Sequence, residues 1–419
     1  MNTFIKNNSL LSTKTKLEYT YNPNNLVLLY NTSLGNGANT IYVPVQGTSP
    51  NVIIDWGDGL SDTYTTIGYK SHTYATSGTY VVQISGTMRT LSHSATIPVI
   101  GSKEKLIQCL SFGNIGLNSL GGGFDSCTNL TKVPSSIPTA VTNLQSLFIG
   151  CVNFNDISIS DWNTSNVSIM TNMFVRCSSF NQNLTNWNVG KVNNFGNMFS
   201  VASIFNGNLS GWNIGSNVAT PSINMSFMFD RSGFNNNSIS NWNVGKVNNM
   251  QSMFASSSFN QNINNWNVSN VINMSSVFSN NTTFNQPLNN WNTSSATTMS
   301  AMFINCTNFN QPLNNWNVSK VTSFNQMFNN CDSFNQNLAS WNLSGINTST
   351  GLTGFMQFAT GLSTENYDAL LIGWNANKES YRTDLRPNFG GSKYSVAGAD
   401  AREALTTYGW FITDGGFAP

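Results

Sequence analysis

Few side chains in this sequence can carry chemistry. It has 419 residues, with two histidines (His72 and His93), six cysteines and 17 carboxylates. Two histidines do not supply a histidine-rich metal site and argue against a His-based catalytic triad. Asp55, Asp58 and Asp62 stand close together around a Gly-containing turn. They are the candidate ligands for Ca²⁺, which takes oxygen donors, with turn-forming aspartates as the alternative. No other cofactor is expected. Asp156 and Asp161 are close in sequence, and glycoside cleavage needs two carboxylates about 5–9 Å apart. Nothing in the pattern pairs them, and catalysis is not expected. The cysteines are Cys109, Cys127, Cys151, Cys177, Cys306 and Cys331. Five of them follow a Phe by three residues, and the same slot holds Ala202, Ser232, Ser257 and Asn281 elsewhere. A slot that takes Cys, Ala, Ser or Asn wants a small buried side chain. Cys151, Cys177, Cys306 and Cys331 are therefore expected as free, stacked thiols. Disulfides between adjacent coils are the alternative, and no CxxC spacing marks a metal site.

The surroundings of these residues are almost uncharged. Lys and Arg total 18, giving a net charge of +1, and charged residues make up 8% of the chain, against about 25% in an ordinary domain. Such a balance offers no footprint for nucleic acid or for an anionic membrane surface. No apolar run reaches the ~20 residues of a membrane span. Asparagine replaces charge: residues 151–350 hold 50 Asn, no Glu and nine charged residues. The tract is periodic and rich in large apolar residues, which argues against a disordered Asn-rich segment.

The period is set by eight tryptophans, Trp162, Trp187, Trp212, Trp242, Trp266, Trp291, Trp316 and Trp341. Their intervals are 25, 25, 30, 24, 25, 25 and 25 residues. Phe174, Phe199, Phe229, Phe254, Phe278, Phe303 and Phe328 form a second ruler, and Phe-Asn pairs a third. A fixed period of 20–29 residues is the signature of a leucine-rich-repeat-type solenoid. The alternation in Asn186-Trp187-Asn188-Val189 predicts a short strand with Trp and Val inward. Stacked in parallel, these strands would put Asn188, Asn243, Asn267, Asn292 and Asn317 in one outward column, the candidate binding face. The Met, Met-Phe, Cys and Phe that follow predict a helical or 3₁₀ turn on the convex side. Amide ladders and turns account for most of the asparagine. The 30-residue interval holds an insertion near residues 215–221, whose Ser216, Asn217 and Thr220 are a second candidate contact.

The flanks differ. Ile53-Ile54-Asp55-Trp56-Gly57-Asp58-Gly59, His72-Thr73-Tyr74 and Gly78-Thr79-Tyr80-Val81-Val82 read as strands and turns of an antiparallel β-sandwich. This spacing resembles the polycystic kidney disease (PKD) domain, an immunoglobulin-like module, over roughly residues 38–88. The family often has Phe where Trp56 stands. The units of the form Trp-Asn-Val-Ser, Met-Phe, Cys and Phe-Asn-Gln resemble the BspA-like leucine-rich repeat family of surface proteins. That resemblance runs from Ser119-Leu120-Gly121-Gly122-Gly123-Phe124 to Leu362-Ser363-Thr364-Glu365, and to the ending Gly409-Trp410-Phe411-Ile412-Thr413-Asp414-Gly415-Gly416. The fold expected is mainly β. Residues 1–36 would be an attachment arm, 37–100 a PKD-like sandwich, 101–362 a leucine-rich-repeat-like solenoid with a parallel sheet, and 363–419 a small α/β cap. Charge returns in the cap, where residues 367–374 and 397–408 read as amphipathic helices over the last open coil.

The resemblance implies adhesion or partner binding at an exposed surface, and it carries no catalytic residues. A neutral amide- and hydroxyl-rich face suits host-surface glycan or protein. Exterior-type domains without a secretory signal at the N-terminus point to a phage virion component, such as a tail fibre, receptor-binding or decoration protein. It would attach to other virion or surface proteins through its N-terminal region, with homo-oligomers possible. The rival expectations are a secreted or cell-surface bacterial adhesin and a purely structural coat or fibre subunit.

Overall fold

The computed structural model describes residues 19–36, 38–93 and 102–419. Its regular structure is mostly β, with two α-helices. The front unit begins with β1 (Leu26–Asn31), β2 (Thr40–Val45) and β3 (Asn51–Asp55). β4 (Ser61–Tyr64), β5 (Gly68–Thr73), β6 (Thr79–Thr87) and β7 (Leu106–Ser111) complete it. Two antiparallel sheets result, one ordered β4-β3-β6-β1-β7 and one pairing β2 with β5. β3 alternates, burying Val52 and Ile54 while Ile53 and Asp55 face out, as a strand with one covered face must. Gly57 is required by its turn: its φ is +81°, and a Cβ there would lie 2.5 Å from the Val81 carbonyl oxygen.

β1 corrects the expected boundaries. The run Leu26-Val27-Leu28-Leu29-Tyr30 is buried and sits between β6 and β7. Part of the expected arm 1–36 is therefore a central strand, and β7 carries the front sheet past residue 100. An apolar strand buried on both sides needs a partner on each edge. Residues 1–18 of the expected arm lie outside the described residues.

From Ser119 onward the chain winds in coils of about 25 residues. Parallel bridges join Ser119, Asn143, Ile169, Asn194 and Asn224 in succession, and then Asn249, Asn273, Thr298 and Ser323. Where the insertion widens a coil, β8 (Ile223–Asn224) and β9 (Val247–Asn249) form a short parallel pair. Each bridge opens a ladder of three or four backbone bonds to the next coil. In one coil Leu144, Ser146, Phe148 and Gly150 donate to the carbonyls of Ile169, Thr171, Met173 and Val175 at 2.8–2.9 Å.

Two sequence expectations fail here for one reason. Residues 186–189 are not a strand: Trp187 N donates to Leu184 O and Val192 N to Val189 O, so turns bracket the segment. The alternation of buried and exposed residues comes from turn geometry, not from a pleat. Nor is the Met-Met-Phe-Cys segment helical. Met173 N donates to Met170 O with Asn172 at φ +60°, and Cys177 N to Phe174 O with Arg176 at φ +60°. A positive φ at the third residue makes these type II turns. Two such turns per coil free alternate N–H groups to point at the next coil, so this segment is the ladder.

The core is built of columns. Phe148, Phe174 and Phe199 stack with centroids 5.5 Å apart, and Trp291, Trp316 and Trp341 at 6.3 and 6.5 Å. Each indole N–H donates to a carbonyl one coil back, as Trp187 does to Ile159 O at 2.7 Å. α1 (Thr364–Ala376) continues the column, with Trp374 donating to Leu338 O at 3.1 Å. α2 (Val396–Thr407) packs on α1, and Asp368 accepts from both the N–H and the hydroxyl of Ser395, the N-cap of α2. The ladder runs on beneath the helices, where Asn388 bridges Thr413.

Candidate functional site

The ladder side of the stack is curved inward. Hydrogen-bonded parallel chains lie about 4.8 Å apart. Equivalent rings are 5.5–5.9 Å apart in the inner Phe column and up to 6.5 Å in the Trp column. Coils that fan out away from the ladder leave it on the concave face.

That face is mostly polar, and its charges, Arg176, Asp230 and Arg231, stand at the fourth rung of the ladder. None of the nine charged residues between 151 and 350 stands at a bridge position, at the residue before it, or two residues after it. The side chains there bond to one another along the stack. Asn194 Oδ1 accepts from Gly196 N at 2.9 Å and Asn224 Nδ2 at 3.2 Å. Asn273 Nδ2 donates to Gln251 Oε1 at 3.3 Å. Ser275 and Thr298 share a hydroxyl bond of 2.9 Å, and Ser300 and Ser323 one of 2.7 Å. Glycines cut notches in this surface. At its N-terminal end, Gly121 and Gly122 open a groove of about 320 Å³ among Thr90, Ser119, Asn143, Gln145 and Ser146. At Gly196, the side chains of Asn194, Asn224 and Ser226 surround the place that a Cβ would occupy.

Three overlapping segments, residues 118–223, 223–341 and 255–363, match the family described as Mycoplasma protein of unknown function, DUF285. The chain belongs to the DUF285 family. No curated protein and no solved structure matches it. The DUF285 span opens one residue before the bridge residue Ser119 and closes at Ser363, the N-cap of α1. It therefore covers the stacked coils and leaves out the front sheets and the cap.

Within the DUF285 span, Asn188, Asn243, Asn267, Asn292 and Asn317 are exposed, but on the convex tryptophan side and outside any sheet. Their side-chain oxygens accept from the backbone N–H two residues on, at 3.1–3.2 Å. These Asx turns explain the residue type without a ligand. Ser216, Asn217 and Thr220 are exposed on the inserted loop. Lys246 pins that loop from below by donating to Gly215 O and Val218 O. The other asparagine ladder is structural: Asn260 Oδ1 accepts from Asn285 N, Asn285 Oδ1 from Asn310 N, and Asn310 Oδ1 from Asn335 N, at 2.9–3.0 Å.

Trp187, Trp212, Trp242, Trp266, Trp291, Trp316 and Trp341 are buried, and so are all six thiols, which are free. Cys177 donates to Phe148 O and Cys306 to Phe278 O at 2.9 Å, and Cys151 and Cys331 bond one coil back in the same way. Burial pushes these thiols up, Cys331 to about 12, so none is a poised nucleophile.

The Ca²⁺ candidate is corrected. Among the described residues no three His, Cys, Asp or Glu side chains converge as metal ligands. Asp55 accepts from Gly57 N, and Asp62 from Trp56 Nε1 at 2.8 Å. Asp58 accepts from Leu60 N and pairs with His72 Nε2 at 2.7 Å. Slight burial works upward on Asp58, and the His72 and Leu60 bonds hold it below the usual carboxylate range. Each carboxylate is thus committed to its own turn or ring. Asp156 is likewise committed, to Val133 N and Ser158 N. No helix among the described residues is long and apolar enough to cross a membrane.

Sequence reasoning missed the concave face, because it put the sheet at the tryptophans. The available signal was the polar residue five positions before six of the Phe residues of the second ruler: Asn194, Asn224, Asn249, Asn273, Thr298 and Ser323.

Proposed function

We propose that this DUF285 protein is a non-catalytic binding protein of an exposed surface. In this reading the front sheets are a PKD-like, immunoglobulin-like sandwich, and the coils are a BspA-like leucine-rich-repeat solenoid that meets host-surface glycan or protein. The hydroxyl- and amide-lined concave face, uncharged at its bridge positions across residues 151–350, carries the proposal. It offers many weak hydrogen-bonding positions in a row, and the thiols behind it are buried. Affinity would come from repetition along the face and between copies.

The proposed setting is the surface of a phage particle, with the front unit toward the particle and the coils outward. Mass spectrometry of purified particles and of washed cell envelopes from the source culture tests it. Stoichiometric presence in particles supports a virion component. Recovery with envelopes, with a removed leader, supports a bacterial surface adhesin and overturns the virion setting.

A further inference from the structure

Resting on that reading, we infer that the concave face takes a linear, neutral polysaccharide laid along the stack, with one sugar for each coil. Three observations carry this. Across residues 151–350 the bridge positions, the residues before them and those two after them bear no charge, so the middle of the face favours neither an anionic nor a cationic polymer, and Arg176, Asp230 and Arg231 stand apart at the fourth rung. The ladder fixes hydroxyl and amide groups at a repeat of about 4.8 Å, close to the advance per sugar of an extended β-1,4-linked hexose chain. A neutral polymer of that repeat meets equivalent groups at each step. The surface also has a place to seat a ring, the groove at Gly121 lined by Thr90, Ser119, Asn143, Gln145 and Ser146. Aromatic side chains are absent from the bridge positions, with half-buried Phe227 a ring on the ladder beside them, so most sugars are held by hydrogen bonds and a single sugar binds weakly.

The test is titration calorimetry of the full chain with β-1,4-linked glucose and N-acetylglucosamine oligomers of one to six units. Affinity is expected to rise with each added sugar by roughly two- to tenfold, the worth of one net hydrogen bond, and to stay unchanged between low and high salt. Gly121→Gln fills the groove and Thr298→Val removes a ladder hydroxyl without changing its shape. Both are expected to weaken the longest oligomer several-fold; Thr298→Val also loses the Ser275 bond and melts slightly lower, whereas Gly121→Gln is expected to leave the melt in place. Equal affinity for one and six sugars overturns the alignment, and so does an unaffected Gly121→Gln variant that melts normally.

Binding to intact host cells separates the two levels of the argument. If the protein holds to cells but ignores every oligomer, or is released by protease treatment of the cells, the glycan inference fails and the adhesion reading stands. If it binds neither cells nor oligomers, both fail.

Discussion

On the ladder side of a coil the backbone bonds directly to the next coil. On the tryptophan side the backbone turns back on itself, and side chains make the link. Three or four N–H groups per coil do the first job. An indole N–H, a thiol or a Phe-Asn carboxamide does the second, as with Trp316 to Leu288 O, Cys331 to Phe303 O and Asn310 Oδ1 from Asn335 N. The difference governs what each side demands of the sequence. A main-chain ladder accepts any residue, and its bridge positions hold Ser, Asn, Ile and Thr. A side-chain link needs particular atoms, so Trp and Phe-Asn recur with little change. The loud periodic signal therefore marks the side where the backbone contributes least.

The comparison predicts where the stack is brittle. Trp266→Ala empties a buried site and removes the partner of Ile239 O. A loss of about 3–5 kcal/mol is expected in denaturant unfolding, and of about 1–3 kcal/mol for Trp266→Phe, which orphans only the carbonyl. A loss under 1 kcal/mol for the alanine variant would mean that the ladder alone holds the coils.

The first rungs supply an acid-sensitive point. His93 N donates to Gly122 O, and its ring nitrogen Nδ1 meets Gly123 O at 2.5 Å. Burial holds its pKa down to about 4 despite that carbonyl. The folded state binds fewer protons here than the unfolded chain. Its stabilisation is full above about pH 6.5 and is lost as pH falls toward 4, by about 1.4 kcal/mol per unit. His93→Gln should flatten that window in a pH series of thermal melts.

Smaller effects sharpen the contrast on the ladder itself. Val201 is a β-branched residue at φ +60°, where other coils put Asn280, Asn305 and Asn330. Val201→Asn should raise stability by about 1 kcal/mol, since left-handed backbone penalises a branched side chain. Ser300→Ala removes one hydroxyl bond to Ser323 and should cost about 0.5–1 kcal/mol, visible as a small shift in denaturant midpoint. At the bottom of the scale, thiol reagents at mild pH should label none of the six cysteines until the chain is denatured, and labelling of the native protein would place a thiol outside the core.

Much of this was legible beforehand. The 25-residue period, the buried Trp and Phe columns, the small Cys slot and the two cap helices all follow from side-chain type and spacing. The ladder was not, because it is made by backbone turns with φ above zero at Asn172, Arg176, Ser252 and Ala301, and only some of those residues announce such a conformation. The central strand β1 fell within the expected arm, because its partners lie about 50 and 80 residues away. Its sequence alone does not say that it joins the front sheet. The concave face was hidden for the same reason as the ladder that underlies it.

The direction of the ladder bonds has a mechanical consequence. They run along the stack axis, so tension between the front unit and the cap pulls each rung straight apart, one coil at a time. Every coil that opens releases about 25 residues, or about 85 Å of slack, while its neighbours stay closed. Under tension along its axis, a stack of this kind lengthens in steps and does not give way all at once.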